Sequence, residues 1–447
     1  MNTTSTKDTI NRGNAEHMID QAAPELQRGP QWLREHRHAS RDFFNDSPIP
    51  PRGLHLWRYT DPSRFLVAQT DRIDTPFGEG YDEVETVLLD ELAGDGLAAV
   101  VIDRGGRQIR CHTSEALTQS KVIVSSLSDA VLYHSDLVEK HLYRLVNAKS
   151  GKFEALNGAL WNDGIFVHIP DGTTIEKPIH LLRQAGAANS AQFPRLLISV
   201  GDNAEATIID EYGGGPDSPT GEAGHSNAVV EIVAAADSRT NYVCLQRQGV
   251  GTLSYLTYRA QVGPGARILT VPLSFGGAIA KHNFGVILNG RHSESQIYGL
   301  AFGSGYQHFD NHTLHHHAAN ETSSKIDYKV VLKDKAQSAC TGLIRIEQDA
   351  KTCEAYQENR NLLLNKGTKA QAIPELEILN EDVHCSHGAT IGPIDPLQLF
   401  YLESHGIEKS RAQRMVVTGF VETTMKRLPT ELRERIREFV LQRLEQQ

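Results

Sequence analysis

The 447-residue sequence lacks the features of several common protein classes. It contains no basic run, and its formal net charge is −10 at pH 7, which argues against a nucleic acid or an acidic membrane as the main partner. No window has the length and apolarity of a membrane span. The first 30 residues have no apolar segment of the kind that marks a secretory signal. The length allows roughly two or three globular domains.

Cysteine is also scarce, with only five in the chain: Cys111, Cys244, Cys340, Cys353 and Cys385. The number is odd, and no C-x-x-C pair occurs, so a disulfide framework is not expected. This usage fits a reducing compartment. The default prediction is therefore a cytoplasmic protein.

The sequence has none of the common motifs for nucleotide hydrolysis or hydrolytic catalysis. The glycine run at residues 213–215 lacks the G-x-x-x-x-G-K-[ST] pattern that holds phosphates, and no such pattern occurs elsewhere. A G-x-S-x-G turn and an H-E-x-x-H helix are absent as well. The chain is therefore not expected to hydrolyse ATP by itself.

Changes in pattern divide the chain into four parts. Residues 1–28 are polar and predicted to be loosely ordered. Residues 29–150 combine helical stretches with a buried-looking strand and predict a small α/β module. Residues 151–392 contain short β runs broken by Gly, Pro, Asn and Asp, without long helical patterns. Residues 393–447 are helical throughout.

One phrase recurs in the third part: an apolar strand end, a turn, then a strand that starts on small residues. It is found at residues 200–204, 262–266, 288–292 and 332–336. Intervals between successive strand ends range from 26 to 44 residues, which is typical of stacked β-solenoid coils. A β-sandwich has similar punctuation, so on the residues alone both architectures remain open.

The densest chemistry lies at residues 383–392, where a thiol and two imidazoles occur within four residues. On an extended strand, Cys385 and His387 share one face and His384 lies on the other. Cysteine and histidine are ligands for iron, copper or zinc. An iron–sulfur cluster usually has four protein ligands, so the remaining donors must come from elsewhere in the chain, a substrate or a second chain.

The protonation state of Cys385 decides its chemistry. A neighbouring imidazolium would favour the thiolate, which is the form that binds metal and sulfide. The alternative interpretation is a small buried side chain beside a hydrogen-bonded histidine.

Two further groups of polar residues could carry chemistry. On an extended segment His315 and His317 share a face and could chelate zinc, iron or nickel, although histidines are also common on solvated strand faces. Asp210 and Glu211 could act in acid–base catalysis, but a solvated loop is the favoured interpretation.

The C-terminal part predicts three helices, at residues 396–404, 408–425 and from Pro429 onward. The last has one apolar stripe on a charged helix. The stripe consists of Leu432, Ile436, Phe439, Val440 and Leu444. It could pack on its own domain or on a partner protein.

Several phrases, in the same order, resemble the SufB/SufD family of iron–sulfur cluster assembly proteins, with SufD-like members the most similar. The matching stretches are residues 153–164, 361–364, 374–378, 385–390 (CSHGAT) and 399–402, with a weaker match at 57–60. The resemblance implies a mainly β fold: a right-handed parallel β-helix core flanked by N- and C-terminal helical regions. It thereby favours the solenoid over the sandwich.

The resemblance also implies a non-catalytic scaffold. SufD-like proteins pair with a SufB-like paralogue through their β-helices, and clusters are built at the shared interface. The family's functional Cys and His fall on Cys385 and His387. His384 and the triple histidine depart from the pattern, so the expected metal role of His384, His315 and His317 rests on residue type and not on the resemblance.

A SufC-like ATPase is expected to dock on the C-terminal helices. The candidate partner-binding residues there are Phe400, Tyr401, Phe420, Leu432, Ile436 and Phe439. A nascent cluster shared with the partner chain is the expected cargo, and the isolated chain is expected to hold no cofactor tightly. Some family complexes are associated with reduced flavin, for which the sequence shows no motif. A homodimer is possible when the chain is alone, and the alternatives are a mononuclear metalloprotein and a β-helix enzyme acting on carbohydrate.

Overall fold

The computed structural model describes residues 26–66, 82–105, 108–186, 188–215, 217 and 223–445. The prediction of a loosely ordered N-terminus falls almost entirely on residues 1–25, which lie outside this set. Within the described residues, no helix combines the length and the apolarity that crossing a membrane requires.

The core is built from strands that alternate between two sheets. The strands are β4 (Gly164–Ile169), β5 (Ile179–Ala185), β6 (Ala191–Gln192), β7 (Arg195–Val200), β8 (Glu205–Gly214), β9 (Gly224–Ala234), β10 (Arg239–Gln246), β11 (Thr252–Val262), β12 (Arg267–Ser274), β13 (Ile279–Leu288), β14 (Glu294–Gly303), β15 (His308–His317), β16 (Ser323–Leu332), β17 (Gln337–Ile346), β18 (Cys353–Leu363), β19 (Lys369–Ile378) and β20 (Val383–Pro393).

From β7 onward, each core strand pairs in parallel with the strand two positions further along the sequence, while β4 and β5 pair with β7 and β8. The first sheet runs β5-β8-β10-β12-β14-β16-β18-β20, and the second runs β19-β17-β15-β13-β11-β9-β7-β4. This is a parallel β-solenoid of about eight turns. It confirms the mainly β fold with a solenoid core, and it excludes the sandwich, whose strands would be antiparallel.

The predicted turn phrases coincide with corners of the coils. Each of the four places a residue in the left-handed region: Asn203 (φ 55°), Gly265 (φ 66°), His292 (φ 62°) and Asp334 (φ 62°). Asn, Asp and Gly tolerate this conformation best, because their side chains are short or absent. The recurring phrase therefore encodes the corner at which one strand ends and the next begins.

The N-terminal module continues the solenoid instead of forming a detached unit. Its helices and strands are α1 (Gln31–Asp46), α2 (Asp82–Ala93), β1 (Ala99–Arg104), β2 (Gln108–Thr113), α3 (Glu115–Gln119), β3 (Ile123–Ser126), α4 (Leu127–Tyr133), α5 (Ser135–His141) and α6 (Lys152–Leu160). Strand β1 pairs with β5 in parallel, and β3 pairs with β4 antiparallel, so each sheet extends into the module. The first coils are thereby covered.

A buried ion pair fastens the module to the second sheet. Arg195 Nη2 lies 2.6 Å from Glu231 Oε2, and both side chains are fully buried. Glu231 also accepts backbone N–H bonds from Tyr143, Leu145 and Val146. A buried carboxylate that is paired and hydrogen-bonded in this way fixes the geometry of the groups around it.

Three helices follow the solenoid at the C-terminus, and the last two cover the outer face of the first sheet. They are α7 (Pro396–Ser404), α8 (Lys409–Met425) and α9 (Thr430–Glu445). Leu432 and Ile436 of α9 are only 3% and 1% exposed and pack in one cluster with side chains from the sheet, while Phe420 and Phe439 pack at its margin. The apolar stripe therefore packs within its own chain, and these side chains are not a free surface for a partner.

Glu211 anchors α9 to the solenoid. The side chain is fully buried in β8 and contacts His180 Nε2 at 3.1 Å, Arg247 Nη2 at 3.0 Å and Arg435 Nη2 of α9 at 3.1 Å. Asp210 is buried too and binds Arg183. The expectation of a solvated loop at Asp210 and Glu211 is thus wrong, because the strand continues and distant arginines cover it.

The pKa of Glu211 makes the stability that this anchor contributes depend on pH. Burial alone would raise the pKa, but the hydrogen bond from His180 and the charges of Arg247 and Arg435 outweigh burial and lower the pKa from 4.5 to about 2. A carboxyl group whose pKa is lower in the folded state than in the unfolded state stabilises the fold. The full contribution is present at pH values above the pKa of the unfolded state. That contribution is lost as the pH falls from 4.5 towards 2.

Glu211→Gln should lower the free energy of unfolding at pH 7 by about 3–5 kcal/mol, because it leaves the partly buried Arg247 and Arg435 without their carboxylate. The deficit relative to the wild type should shrink as the pH falls through the window given above. Urea unfolding followed by circular dichroism at pH 7 and at several acidic values measures both effects. Glu434→Gln, on the exposed side of α9, is the control, and an equal effect in both variants would contradict the anchor.

Candidate functional site

Cys385 and His387 lie on β20, the terminal strand of the first sheet. Their neighbours in register on β18 are Ala355 and Gln357, which are buried on the interior side of the coil. His384 lies beside the exposed Glu354 on the outer side. The predicted strand conformation is confirmed, and it directs Cys385 and His387 towards the solenoid interior with His384 opposite.

This end of the solenoid is open within the described residues. Strand β20 pairs only with β18, and β19 pairs only with β17, so each has one edge without a strand partner. Gln357 is 3% exposed, whereas His387, one coil further, is exposed. Apolar side chains are exposed near the same edge at Ile378, Leu379 and Ile391. An uncovered edge with apolar residues is a ready surface for another chain.

Cys385 is half-buried against a small interior cluster that includes Cys353 and Ala355. Burial raises the pKa of the Cys385 thiol, and the neighbouring Cys353 adds to the effect. No neighbouring imidazolium of the described residues offsets this effect in the isolated chain. A metal or another positive charge near the thiol would be needed to lower that pKa.

An open groove of about 640 Å³ begins at His384 and Cys385 and crosses the first sheet. The groove is lined by the first residues of four neighbouring strands, β20, β18, β16 and β14, and it ends at Glu294 of β14. Lys325 lies in the groove between the rings of Tyr298 and Tyr356, at 5.9 and 5.7 Å from their centroids. These residues are about 30 positions apart, so only the register of the coils brings them together.

The histidine cluster is divided between the two faces of β15. His315 and His317 face the interior and are fully buried, where they hydrogen-bond Ser295 and the pair Thr322 and Ser324. Burial lowers the pKa of His315 to about 3 and of His317 to about 4, so both imidazoles are neutral at pH 7.

The other face of β15 meets the N-terminal segment. Asp310 binds Lys281 Nζ at 2.9 Å and accepts a 2.5 Å hydrogen bond from Thr60, all buried. His312 lies 3.0 Å from Asp310, and His308 contacts Thr60. These histidines thus belong to a packed network. Sequence inspection missed this network, because nothing local pairs residue 60 with residue 310.

The described part of the chain contains no group of three or more His, Cys, Asp or Glu side chains arranged to hold a metal ion. Cys385 and His387 therefore provide two donors at an open edge. His315 and His317 share an interior face, as predicted, but their described hydrogen bonds go to hydroxyl groups.

The exposed aromatic residues of the C-terminal helices form a second surface. Phe400 and Tyr401 of α7 are 68% and 64% exposed, and Leu397 of the same helix and Met415 of α8 are exposed nearby. No residue of α7 is buried. A short helix that displays apolar side chains to solvent is typical of a protein-binding surface.

Comparison with known proteins shows to which family the chain belongs. The model described as "SUF system FeS cluster assembly, SufBD core domain" matches residues 182–420, and that of the SufBD N-terminal region matches residues 99–181. The chain belongs to the SufBD family. Its core match spans the solenoid from β5 onward together with α7 and most of α8.

Curated relatives of this SufBD chain span nearly its whole length. The iron–sulfur cluster assembly protein SufB of Bacillus subtilis is 25% identical over 427 residues, which cover 94% of this chain and 90% of that protein. SufBD family proteins of Staphylococcus epidermidis and Staphylococcus aureus are 24% and 25% identical, with the same coverage of both chains. The family resemblance inferred from the sequence is thereby confirmed, while the closer likeness to SufD stays a prediction.

His315→Ala should lower the free energy of unfolding of this SufBD chain by about 2–5 kcal/mol, the range for emptying a packed interior site. Its metal content as purified should equal that of the wild type, because the imidazole serves packing and a hydrogen bond to Ser295. Thermal unfolding and elemental analysis measure the two quantities. His316→Ala, on the outer face of the same strand, is the matched control, and metal lost with His315 would refute the structural role.

Proposed function

We propose that this SufBD protein is a non-catalytic scaffold subunit on which iron–sulfur clusters are built together with a second chain. One observation carries the proposal: Cys385 and His387 point into the solenoid interior at its open end. A thiol and an imidazole are suitable ligands for iron, but two donors leave a cluster incomplete. The partner supplies the others.

The partner is a SufB-like paralogue that joins the uncovered edge of the two sheets. The free edges of β19 and β20 and the apolar side chains beside them support pairing through the β-helix. The CSHGAT wording at residues 385–390 supports a SufD-like role for this chain. The same edge would also accept a second copy of the chain when the paralogue is absent.

A SufC-like ATPase docks on the C-terminal helices of this subunit. The exposed ring pair Phe400 and Tyr401 supports a contact there. Helix α9 is tied to the solenoid through Arg435 and Glu211, so a force applied to the helices reaches β8. Movement of the ATPase would in this way open the interface to iron and sulfide.

The cluster is cargo in this proposal, and the ATPase provides the only catalysis. Flavin, if present, belongs to the assembled complex. A cytoplasmic location agrees with the five free cysteines. Neither a mononuclear metalloprotein nor a carbohydrate-active β-helix is favoured by a specific observation.

Cys385→Ala and His387→Ala should each reduce cluster yield by about tenfold or more, the scale on which loss of a metal-site group acts. The test is co-expression with both partners, followed by size exclusion and absorbance of the cluster, and the complex should elute intact. Ser386→Ala, which lies between them on the opposite face, is the control. Dissociation of the complex would reassign the residue to packing, and unchanged yield would refute the site.

The double substitution Phe400→Ala and Tyr401→Ala should weaken binding of the ATPase by at least about 2 kcal/mol, the scale of an aromatic hot spot. Because no residue of α7 is buried, the free energy of unfolding should stay within about 0.5 kcal/mol of the wild-type value. Titration calorimetry with the purified ATPase gives the affinity. Tyr133→Ala, an equally exposed ring on α4, is the control, and equal affinity in all variants would place the docking surface elsewhere.

A further inference from the structure

The outer face of the first sheet carries a row of oxygen and nitrogen donors that ends at the open edge. The register of the strands aligns Glu294 of β14, Ser323 of β16, Glu354 of β18 and His384 of β20. All four line the groove described above. Because neighbouring strands are about 4.8 Å apart, the Glu354 carboxylate and the His384 imidazole are direct neighbours at the end of the groove.

Glu354 and His384 are both exposed, and no hydrogen bond or ion pair engages either side chain within the part of the chain that the structure describes. Another histidine and glutamate on an outer face are engaged with each other. His316 Nε2 lies 2.7 Å from Glu347 Oε1, and Arg345 Nε lies 2.9 Å from the same oxygen. The donors at the end of the groove are therefore the ones that an incoming cation can reach without breaking an ion pair.

The other charged groups of the groove have neighbours of their own. Arg267 lies 3.4 Å from Glu294 at the far end. Lys325 lies between two tyrosine rings. Among the carboxylates that line the groove, Glu354 is thus the one with no cation at ion-pair distance in the described structure.

An imidazole beside a carboxylate is a suitable ligand pair for ferrous iron. Mononuclear Fe(II) sites combine these two ligand types and keep open positions. With metal–ligand bonds of about 2.1 Å, two adjacent ligand atoms lie roughly 3 Å apart. The described residues contain no group of three protein ligands, so water would fill the other positions. An ion held by two side chains is bound weakly and can be passed on.

The free edge of β20 connects this pair to the assembly site. His384 and Cys385 are consecutive and lie on opposite faces of the strand. Strand β20 pairs only with β18 within the described residues. An ion can therefore move from the outer to the inner face around the unpaired edge, without opening any strand pair. A partner strand at this edge would close the route.

We propose that Glu354 and His384 form an outer loading site for ferrous iron, from which the ion passes around the edge of β20 to Cys385. The delivery to Cys385 rests on the proposed scaffold function, whereas the capture of the ion is a property of this chain alone. Iron stays ferrous throughout. Its bonds to Glu354 and His384 break, a bond to the Cys385 sulfur forms, and the thiol proton goes to water. Loading precedes closure of the edge by the partner.

The test measures Fe(II) binding to the full-length chain by equilibrium dialysis without oxygen, over micromolar to millimolar iron. The starting protein carries Cys385→Ala and His387→Ala, so that bound iron reports on the groove and not on the assembly site. It should bind Fe(II) in a single saturable step. Glu354→Gln and His384→Ala, each added to this protein, should weaken binding by at least about tenfold, the scale on which loss of a metal-site group acts.

His316→Ala, which removes an outer-face imidazole already paired with Glu347, is the matched control and should bind iron as the starting protein does. Circular dichroism checks that each variant is folded. No binding by the starting protein, or equal binding in the Glu354 and His384 variants, would overturn the loading site.

A second measurement addresses delivery. Glu354→Gln in a chain that keeps Cys385 and His387 should lower the cluster yield on co-expression with both partners when iron is scarce. A wild-type yield would overturn delivery. Since no partner or cluster takes part in the dialysis, its result is independent of the cluster-yield test at Cys385 and His387.

Discussion

Each coil of a parallel solenoid satisfies its backbone groups by pairing with the coils on both sides, and the last coil has only one neighbour. In this chain the two ends of the solenoid differ in how their outer strands are covered. The N-terminal module extends both sheets at one end and covers the first coils. At the other end, the described strands β19 and β20 keep a free edge. The chemistry of Cys385 and His387 is placed where the fold is least complete.

The same stacking gives the interior its chemical gradient. Early coils are filled mainly with Val, Ile, Leu and Ala, while later coils bury His315 and His317 beside apolar clusters around Tyr328 and Ile344. Buried polar groups are tolerated only when they are paired, so His315 and His317 each have specific hydrogen-bond partners. The last coils therefore combine paired histidines with an apolar cluster that packs against Cys385.

Much of the fold could be predicted from local pattern. The short strands, the corner phrases around Asn203 and Gly265 and the C-terminal helices depend on nearby residues. The extended conformation around Cys385 is equally local. The local pattern could not predict which strand faces are covered by other parts of the chain.

The expectations that failed have this common cause. Glu211 was expected in a solvated loop, and a favoured thiolate at Cys385 was one of two open interpretations. In the structure, α9 covers the first, and the interior cluster packs against the second. The groove that joins His384 to Glu294 was not anticipated, since it depends on the register of four coils. Coverage and register are properties of the whole chain, so no single window contains them.

The anchor at Glu211 and the thiol at Cys385 lie on the same sheet, six strand spacings apart. At 4.7–4.9 Å per spacing this amounts to about 29 Å. Deleting or inserting one whole coil between them would change the distance by about 5 Å without disturbing the pairing of the remaining strands. The number of coils therefore sets the distance between the helical anchor and the thiol. Chains of this architecture that share a partner would have to have the same number of coils between these two points.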